Sequence, residues 1–244
     1  MTATRTVDDE RLVSRTLEAF GGAERWRRAE RVEVELSCGG PLFRWKRGRA
    51  GTRHGLRVTL EVARQHIRLH DWDGPFDGVL EGHEVRLERD GVVAERRADA
   101  RAAFPGGRRA VRWDALDMTY FLGYALWNYF AFPALLLRDD MEWRAEGPHA
   151  LLARFPGHLA THSPEQRFRL DPATGLVREH DYTAEVFGNW ARACHLTDAY
   201  RTADGVPYAA RRRVLPRQPG KPAPMARPVL IWADIHDYAL TVGS

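Results

Sequence analysis

The stretch Met118–Leu137, MTYFLGYALWNYFAFPALLL, decides the fold, because it holds no charged residue over 20 positions. Its apolar residues run all round a helix, so we expect the helix to be enclosed rather than to lie on a wet surface. Asp114 or Asp117 can cap the first turn, and Pro133 ends or kinks the helix. We therefore predict an inserted, buried helix over 114–130.

The same stretch is long enough to span a bilayer, which is the alternative to a buried helix. Asn128 and Pro133 interrupt the apolar run, and neither flank is strongly basic. We therefore predict no stable membrane insertion, and docking at a membrane interface stays a second alternative.

Composition places this chain of 244 residues among folded globular proteins, since 44% of it is hydrophobic and 29% charged. The two cysteines, Cys38 and Cys194, are too few for a disulfide scaffold. Arginines and acidic residues are mixed along the chain, so the net charge of +4 forms no basic stripe and we predict no nucleic-acid partner. The first ten residues lack the apolar core of a secretory signal, and we expect a cytoplasmic protein.

Alternation of apolar and polar residues on both sides of the helix predicts two meanders of antiparallel strands. Val32, Val34 and Leu36, for example, alternate with polar residues. We predict a helix over 8–20, strands over 31–97 and strands over 141–240, in one domain of residues 1–244. A sheet of ten to twelve strands has to curl or close. The predicted fold is mainly β: a strongly curved antiparallel sheet, either a half-barrel or an open barrel, whose cavity the aromatic helix plugs.

The opening unit Phe20-Gly21-Gly22-Ala23-Glu24-Arg25-Trp26, followed by a meander, an inserted helix and a second meander, carries a resemblance of layout. It resembles the LolA/LppX-like lipoprotein-carrier half-barrel superfamily. That resemblance implies a curved sheet around an apolar cavity, with helices on the open side. The chain is also similar to bacterial proteins of unknown activity that share four of its segments. These are Trp113–Asp117, Tyr120–Tyr129, Thr161-His162-Ser163 and His180-Asp181-Tyr182.

The second meander holds the residue types that acid–base chemistry needs. Period-two spacing places Arg178, His180 and Tyr182 on one strand face, within reach of one bound molecule. We predict His180 as the general acid or base, with Tyr182 and Arg178 stabilising charge and Asp117 as a second acid, base or orienting group. The alternative is that His180 and Tyr182 are hydrogen-bonded core residues and that Asp117 only caps the helix.

Aromatic and histidine side chains on the helix and the late strands predict a ligand-binding wall. The predicted ligand-binding residues are Tyr120, Tyr124, Trp127, Trp190, His195, Trp232 and His236. His162, His180, His195 and His236 lie on or beside separate strands, which a curved sheet could bring together. No HxH or HExxH spacing accompanies them, so we predict neither a metal site nor a cofactor.

Two functions fit these residues. The leading hypothesis is a cofactor-independent isomerase or cyclase that moves a proton on an apolar small molecule, in specialised metabolism. The alternative is a non-catalytic carrier or sensor of a lipid-like hydrophobic ligand. Both hypotheses predict a hydrophobic small molecule as the partner.

Overall fold

The computed structural model describes residues 6–221 and 223–243. Five α-helices occur in these ranges: α1 Val7–Ala19, α2 Ala23–Arg27, α3 Pro41–Arg47, α4 Ala115–Phe130 and α5 Phe132–Leu135. The strands in these ranges are β1 Ala29–Gly39, β2 Arg53–Glu61, β3 His66–Asp73, β4 Phe76–Glu81, β5 Glu84–Arg89, β6 Val92–Arg97, β7 Glu142–Ala145, β8 Ala150–Arg154, β9 Glu165–Leu170, β10 Val177–Thr183, β11 Arg192–Ala203, β12 Val206–Pro216 and β13 Ile231–Val242. The two predicted helices correspond to α1 and α4. The other three are too short to leave a helical period in the sequence.

These strands form one antiparallel sheet in the order β6-β5-β4-β3-β2-β1-β13-β12-β11-β10-β9-β8-β7. β1 pairs with β13 in its middle, with Val34 opposite Tyr238. β6 and β7 lie at opposite edges and do not pair, so the sheet is open. The predicted mainly-β, open antiparallel fold is confirmed, with thirteen strands rather than ten to twelve.

The chain path explains where the predicted helix goes. Segment 98–141 leaves the sheet at edge strand β6 and returns at edge strand β7, so α4 crosses the sheet between its two edges. We call the face that α4 covers the inner face, and the opposite side the outer face. Nearly every side chain of α4 is buried, as its uninterrupted apolarity predicts. No helix in the described ranges has the length and apolarity needed to cross a membrane.

Close approach of α4 to the sheet depends on two glycines. A Cβ at Gly123 of α4 would lie 2.8 Å from the Cβ of Leu80 on β4, and a Cβ at Gly78 would lie 2.7 Å from Oγ1 of Thr119. Real Cβ atoms do not approach other atoms so closely, so a larger residue would push the helix away from β4. The helix is therefore seated directly on the backbone of the sheet.

The start of α4 is held by a buried carboxylate cluster. Asp114 and Asp117 form a capping box, in which each side chain accepts a hydrogen bond from the backbone N–H of the other. Arg97 Nη1 and Arg109 Nε each donate to Asp117 Oδ1 at 2.6 Å, and Arg108 Nη1 donates to Oδ2 at 3.1 Å. Burial alone would raise the pKa of Asp114, but hydrogen bonds from Arg97, the Asp117 backbone and Arg108 hold it well below its ordinary value.

We predict that Asp117→Ala lowers the free energy of unfolding by about 3–5 kcal/mol, because three arginines lose their shared buried partner. Urea unfolding monitored by far-ultraviolet circular dichroism measures the change. The matched control is Asp139→Ala, which removes an exposed carboxylate and should change stability by less than about 0.5 kcal/mol. Equal effects of the two substitutions would contradict the role given to Asp117.

Candidate functional site

A cluster of buried histidine and tyrosine side chains lies on the inner face, against the second half of α4. His180 and Tyr182 come from β10, His195 from β11, Tyr129 from α4, and His162 from the loop before β9. His180 lies opposite His195 in the strand register. The structure thus brings together three predicted residues, His180, Tyr182 and His195. We call this group of five residues the histidine–tyrosine cluster.

Hydrogen bonds tie the cluster to α4. The Tyr129 hydroxyl lies 2.8 Å from His162 Nε2 and 3.4 Å from the Tyr182 hydroxyl. The Tyr124 hydroxyl lies 3.3 Å from His162 Nδ1, so both ring nitrogens of His162 have a phenolic partner. His162 also stacks on Tyr182, with 3.7 Å between ring centroids. Tyr124, a predicted ligand residue, is therefore a partner of a buried imidazole.

His180 has a separate anchor. Its Nε2 lies 2.6 Å from Oε1 of Gln166, so the imidazole donates this hydrogen bond to the amide oxygen. Its ring stacks on Phe168 with 4.1 Å between centroids. His195 differs, since neither of its buried ring nitrogens has a hydrogen-bond partner. The cluster is therefore only partly satisfied within the protein.

Burial keeps the three imidazoles uncharged. It lowers the pKa of His180 to about 3, with the charge of Arg212 as the smaller cause. Burial likewise holds the pKa of His162 and of His195 well below the ordinary value, and Arg212 adds to the effect at His195. At neutral pH the cluster therefore presents neutral rings.

Arg212 is a half-buried charged group beside the cluster. Its guanidinium carbon lies 5.2 Å from the ring centroid of Tyr129 and 5.4 Å from that of Phe130. Its Nε is buried without a hydrogen-bond partner, and no carboxylate in the described part of the chain pairs with it. Burial lowers the pKa of Arg212, and the groups that oppose this shift are the phenols of Tyr200, Tyr129 and Tyr238, which are uncharged at neutral pH.

A small void adjoins this guanidinium. Its volume is about 30 Å³, enough for roughly two water-sized groups. The residues that line it are Phe20, Asn128, Tyr129, Phe132, Phe168, Val177, His180, Thr197, Tyr200 and Arg212. Asn128 adds a second unmet polar atom, because its buried Oδ1 has no partner.

A layer of aromatic rings separates the void from an open groove. Phe132 and Phe168, which line the void, lie 4.7 Å apart between ring centroids and contact Trp143 at 6.0 and 5.5 Å. Trp143 in turn lines a groove of about 1200 Å³ between α1 and edge strand β7, together with Leu12 and Met141. The ring of Trp143 therefore connects the lining of the void with that of a groove larger than most small-molecule pockets.

Arg178 does not share a face with His180, which corrects the prediction from strand alternation. The strand register slips between Val177 and Glu179, so Arg178 is the extra residue of a β-bulge. Its exposed side chain lies 3.4 Å from the carboxylate of Glu179, on the outer face. Arg178 is therefore outside the cluster.

A second bulge lies in β13, the strand that carries the predicted ligand-binding residues Trp232 and His236. The register slips between the pairs Glu35–Asp237 and Leu36–Ile235, so Tyr238 points inward while His236 bonds Ser37 on the outer face, 2.8 Å away. Trp232 lies on the outer face as well, opposite Gly39 and beside the ring of His54. Trp232 and His236 therefore do not reach the cluster.

Four other predicted residues have contacts outside the cluster. Asp117 is fully engaged by its cap and three arginines, and Trp127 Nε1 donates to the carbonyl of Glu61 at 2.7 Å. The Tyr120 hydroxyl lies 3.4 Å from His83 Nδ1, and burial raises the pKa of Tyr120 to about 12. Trp190 is an exposed residue of the loop after β10. The four predicted catalytic residues are therefore not assembled in one place.

The outer face holds the one group in the described ranges whose ligand atoms converge as a metal site requires. Glu179, Asp181 and Cys194 place a ligand atom each within 4.8 Å of one another. Arg217 bonds both carboxylates, at 3.2 and 2.5 Å, so their charge is already compensated. Burial raises the pKa of the Cys194 thiol, with Asp181 adding to the effect, which disfavours the thiolate that binds metals. These residues suit an ion-pair network better than a metal ion.

The sequence analysis passed over Arg212, although a signal was present. In the run Arg211-Arg212-Arg213, successive side chains of a strand point to opposite faces. Arg212 is flanked at two-residue spacing by Ala210 and Val214, so it shares the apolar face, whereas Arg211 and Arg213 pair with Asp198 and Asp234. Tyr129 lay within the quoted aromatic stretch, but nothing local to it indicates which side of the helix meets the histidines.

No protein-family model matches this chain, and no curated protein matches it. Similar solved structures include a LolA superfamily protein from Nitrosomonas europaea, 7% identical, with 96% of this chain and 93% of that chain covered and a TM-score of 0.48. A domain from Vibrio parahaemolyticus named for outer membrane lipoprotein sorting is 9% identical, with 96% and 92% covered and a TM-score of 0.49. A DUF1329 family protein from Desulfovibrio piger is 10% identical, with 97% and 94% covered and a TM-score of 0.43. The layout resemblance stated from the sequence points to the same superfamily, and these similarities carry no information about a ligand.

We predict that stability falls as the pH drops below about 6.5, because the buried imidazoles bind protons only when the chain unfolds. Each histidine should contribute a slope of about 1.4 kcal/mol per pH unit, down to its pKa in the folded protein, about 3 for His180. His195→Leu should remove one such slope between about pH 6 and pH 5, measured by urea unfolding. Exposed His54→Leu is the control and should leave the slope unchanged. An unchanged slope in His195→Leu would mean that His195 takes up a proton in the folded protein.

Proposed function

We propose that this protein is a non-catalytic carrier or sensor of an apolar small molecule that bears an acid group. The observation that carries the proposal is Arg212, a half-buried residue whose Nε has no hydrogen-bond partner and whose guanidinium lies against aromatic rings, with no carboxylate partner in the described ranges. A charge removed from water costs several kcal/mol unless a partner compensates it, and arginine does not lose its proton to escape that cost. An anion bound in the void would supply the missing partner.

The shape of the void supports a carboxylate or a group of similar size. About 30 Å³ accepts two oxygen atoms and little more. Arg212 offers a planar array of donors that matches two carboxylate oxygens, and aromatic side chains supply most of the other residues that line the void. The acid group is therefore the part of the ligand that fits deepest in the interior.

The apolar part of the ligand would extend from the void towards the groove. Turning the rings of Phe132 and Phe168 breaks no hydrogen bond, whereas turning Trp143 breaks the bond that its Nε1 donates to the carbonyl of Leu135, 3.1 Å away. Beyond them lies the groove floor formed by Leu12 and Met141. An alkyl or ring system extending from Arg212 through this layer would bury its apolar surface against the aromatic side chains.

The same geometry gives less support to proton transfer, the leading hypothesis from the sequence. A general base works best with a pKa near the operating pH, whereas the pKa of His180 is about 3. Burial also raises the pKa of Tyr182 well above its ordinary value, so it is a poor proton donor. Asp117 and Arg178 lie outside the cluster, so two of the four proposed catalytic groups cannot reach a molecule bound at His180.

We expect Arg212→Met to weaken binding of the fluorescent fatty acid cis-parinaric acid by about 10- to 100-fold, because one charged hydrogen-bonding partner is lost. Binding of its methyl ester, which carries no charge, should be unchanged or tighter. Fluorescence titration with both probes gives the two affinities. The matched control is Arg211→Met, on the same strand but exposed and paired with Asp198, which should leave both affinities unchanged.

Unfolding of the ligand-free protein gives an independent readout of the same charge. Arg212→Met should be neutral or should raise the free energy of unfolding, because a half-buried charge without a carboxylate partner in the described ranges is replaced by an apolar side chain. Two results would contradict the proposal. One is a large loss of stability in Arg212→Met, and the other is an affinity of this variant for cis-parinaric acid equal to that of the native protein.

A further inference from the structure

One end of the sheet carries both of the strongly exposed tryptophans in the described ranges. Trp45 is 56% exposed and Trp190 76% exposed, whereas the other six tryptophans are buried or partly buried. Val111 and Met225, at 63% and 38%, are exposed at the same end. Exposed tryptophan is uncommon on a protein surface without a partner, because its ring carries a large apolar area.

These residues lie on neighbouring loops. β2, β1, β13, β12, β11 and β10 are consecutive in the sheet, and the connections 40–52, 184–191 and 217–230 leave them at one end. We call this end, together with segment 107–113, the loop end. Met225 N donates to the carbonyl of Pro216, and Leu42 N donates to that of Leu230, which ties the connection 217–230 to the strand ends beside it.

A buried lysine fixes the loop end in place. Lys46 Nζ donates to the carbonyls of Arg109 and Ala110, at 3.0 and 2.5 Å, immediately before Val111. The same ammonium lies 4.3 Å from the ring centroid of Trp45 and 5.4 Å from that of Phe187. The loop of Trp190 follows Phe187 directly, so the exposed side chains belong to one packed surface.

The charge of the loop end is strongly positive. Its exposed basic residues without a carboxylate partner in the described part of the chain are Arg44, Arg49, Arg112, Arg192, Lys221 and Arg227. Carboxylates on adjoining segments already pair with other arginines, as Asp73 does with Arg47 at 2.8 Å and Asp234 with Arg213 at 2.7 Å. The surface therefore combines apolar tips with uncompensated positive charge.

We propose that the loop end docks on the surface of an anionic lipid membrane. Tryptophan favours the boundary between headgroups and acyl chains, and arginines near the surface are attracted to anionic headgroups. Single-stranded nucleic acid also offers phosphates and stacking partners, but Val111 and Met225 would have no partner there, whereas a lipid interface accepts aliphatic side chains. This inference goes beyond ligand binding, since none of its residues contacts the void at Arg212.

Co-sedimentation of the full chain with vesicles tests the inference. Vesicles of phosphatidylcholine containing about 30% phosphatidylglycerol should bind the protein at about 0.1 M salt, and pure phosphatidylcholine vesicles should bind it at least about 10-fold less. The double variant W45S/W190S should lose about 10-fold or more of the vesicle binding, and the charge variant R44Q/R192Q should also lose binding. The matched control is V92S/V93S, which removes two exposed valines of edge strand β6 and should bind as the native protein does.

Three results would overturn the inference: equal binding to both kinds of vesicle, unchanged binding of both loop-end variants, or tighter binding of a single-stranded oligonucleotide than of anionic vesicles. Urea unfolding of each variant establishes that a loss of binding does not come from a loss of folding. The affinity for cis-parinaric acid in W45S/W190S should equal that of the native protein. A failure of ligand binding at Arg212 and a failure of membrane docking are therefore separate outcomes.

Discussion

The burial of α4 is the constraint on which the rest of the structure depends. A helix that is apolar all round has no face to offer to water, so the chain has to surround it. The antiparallel sheet provides one wall, and segment 98–141 runs from one sheet edge to the other, which lays α4 across the inner face. Glycines at 78 and 123 let the helix approach the sheet backbone, and the Asp114–Asp117 cap satisfies its first turn without water.

Polar groups on the inner face acquire their properties from that burial. His162 and His180 find hydrogen-bond partners and remain neutral, whereas His195 has none. Arg212 keeps its charge. In the described ranges its neighbours are phenols and aromatic rings rather than carboxylates. A folded protein retains such a group at a cost in stability, which an external anion would offset. The same packing that lowers the pKa of the histidines leaves Arg212 without a carboxylate partner in the described ranges, which is the basis of the proposed binding of an acid group.

Two β-bulges determine which face of the sheet several side chains occupy, and the loop end carries the exposed tryptophans. The bulge at Arg178 places its guanidinium on the outer face, and the bulge in β13 separates Tyr238 from Trp232. The exposed tryptophans lie at the ends of strands, where packing against the core does not enclose them. Ligand recognition inside the sheet and docking at its end would thus use different side chains of the same neighbouring strands.

The sequence by itself determined the class of the fold and its main parts. The uncharged stretch is long and suits an enclosed helix, and the period-two runs are long and suit strands with one buried face. Alternation also placed His180 and Tyr182 on one strand face, although it did not indicate which face of the sheet is enclosed. Only the tertiary structure decided that Arg178, Trp232 and His236 lie outside the cluster, because a bulge adds a single residue and leaves no mark in the sequence pattern. The isolation of Arg212 was likewise decided there, because whether a charge has a counterion depends on strands and helices that are far apart in the chain.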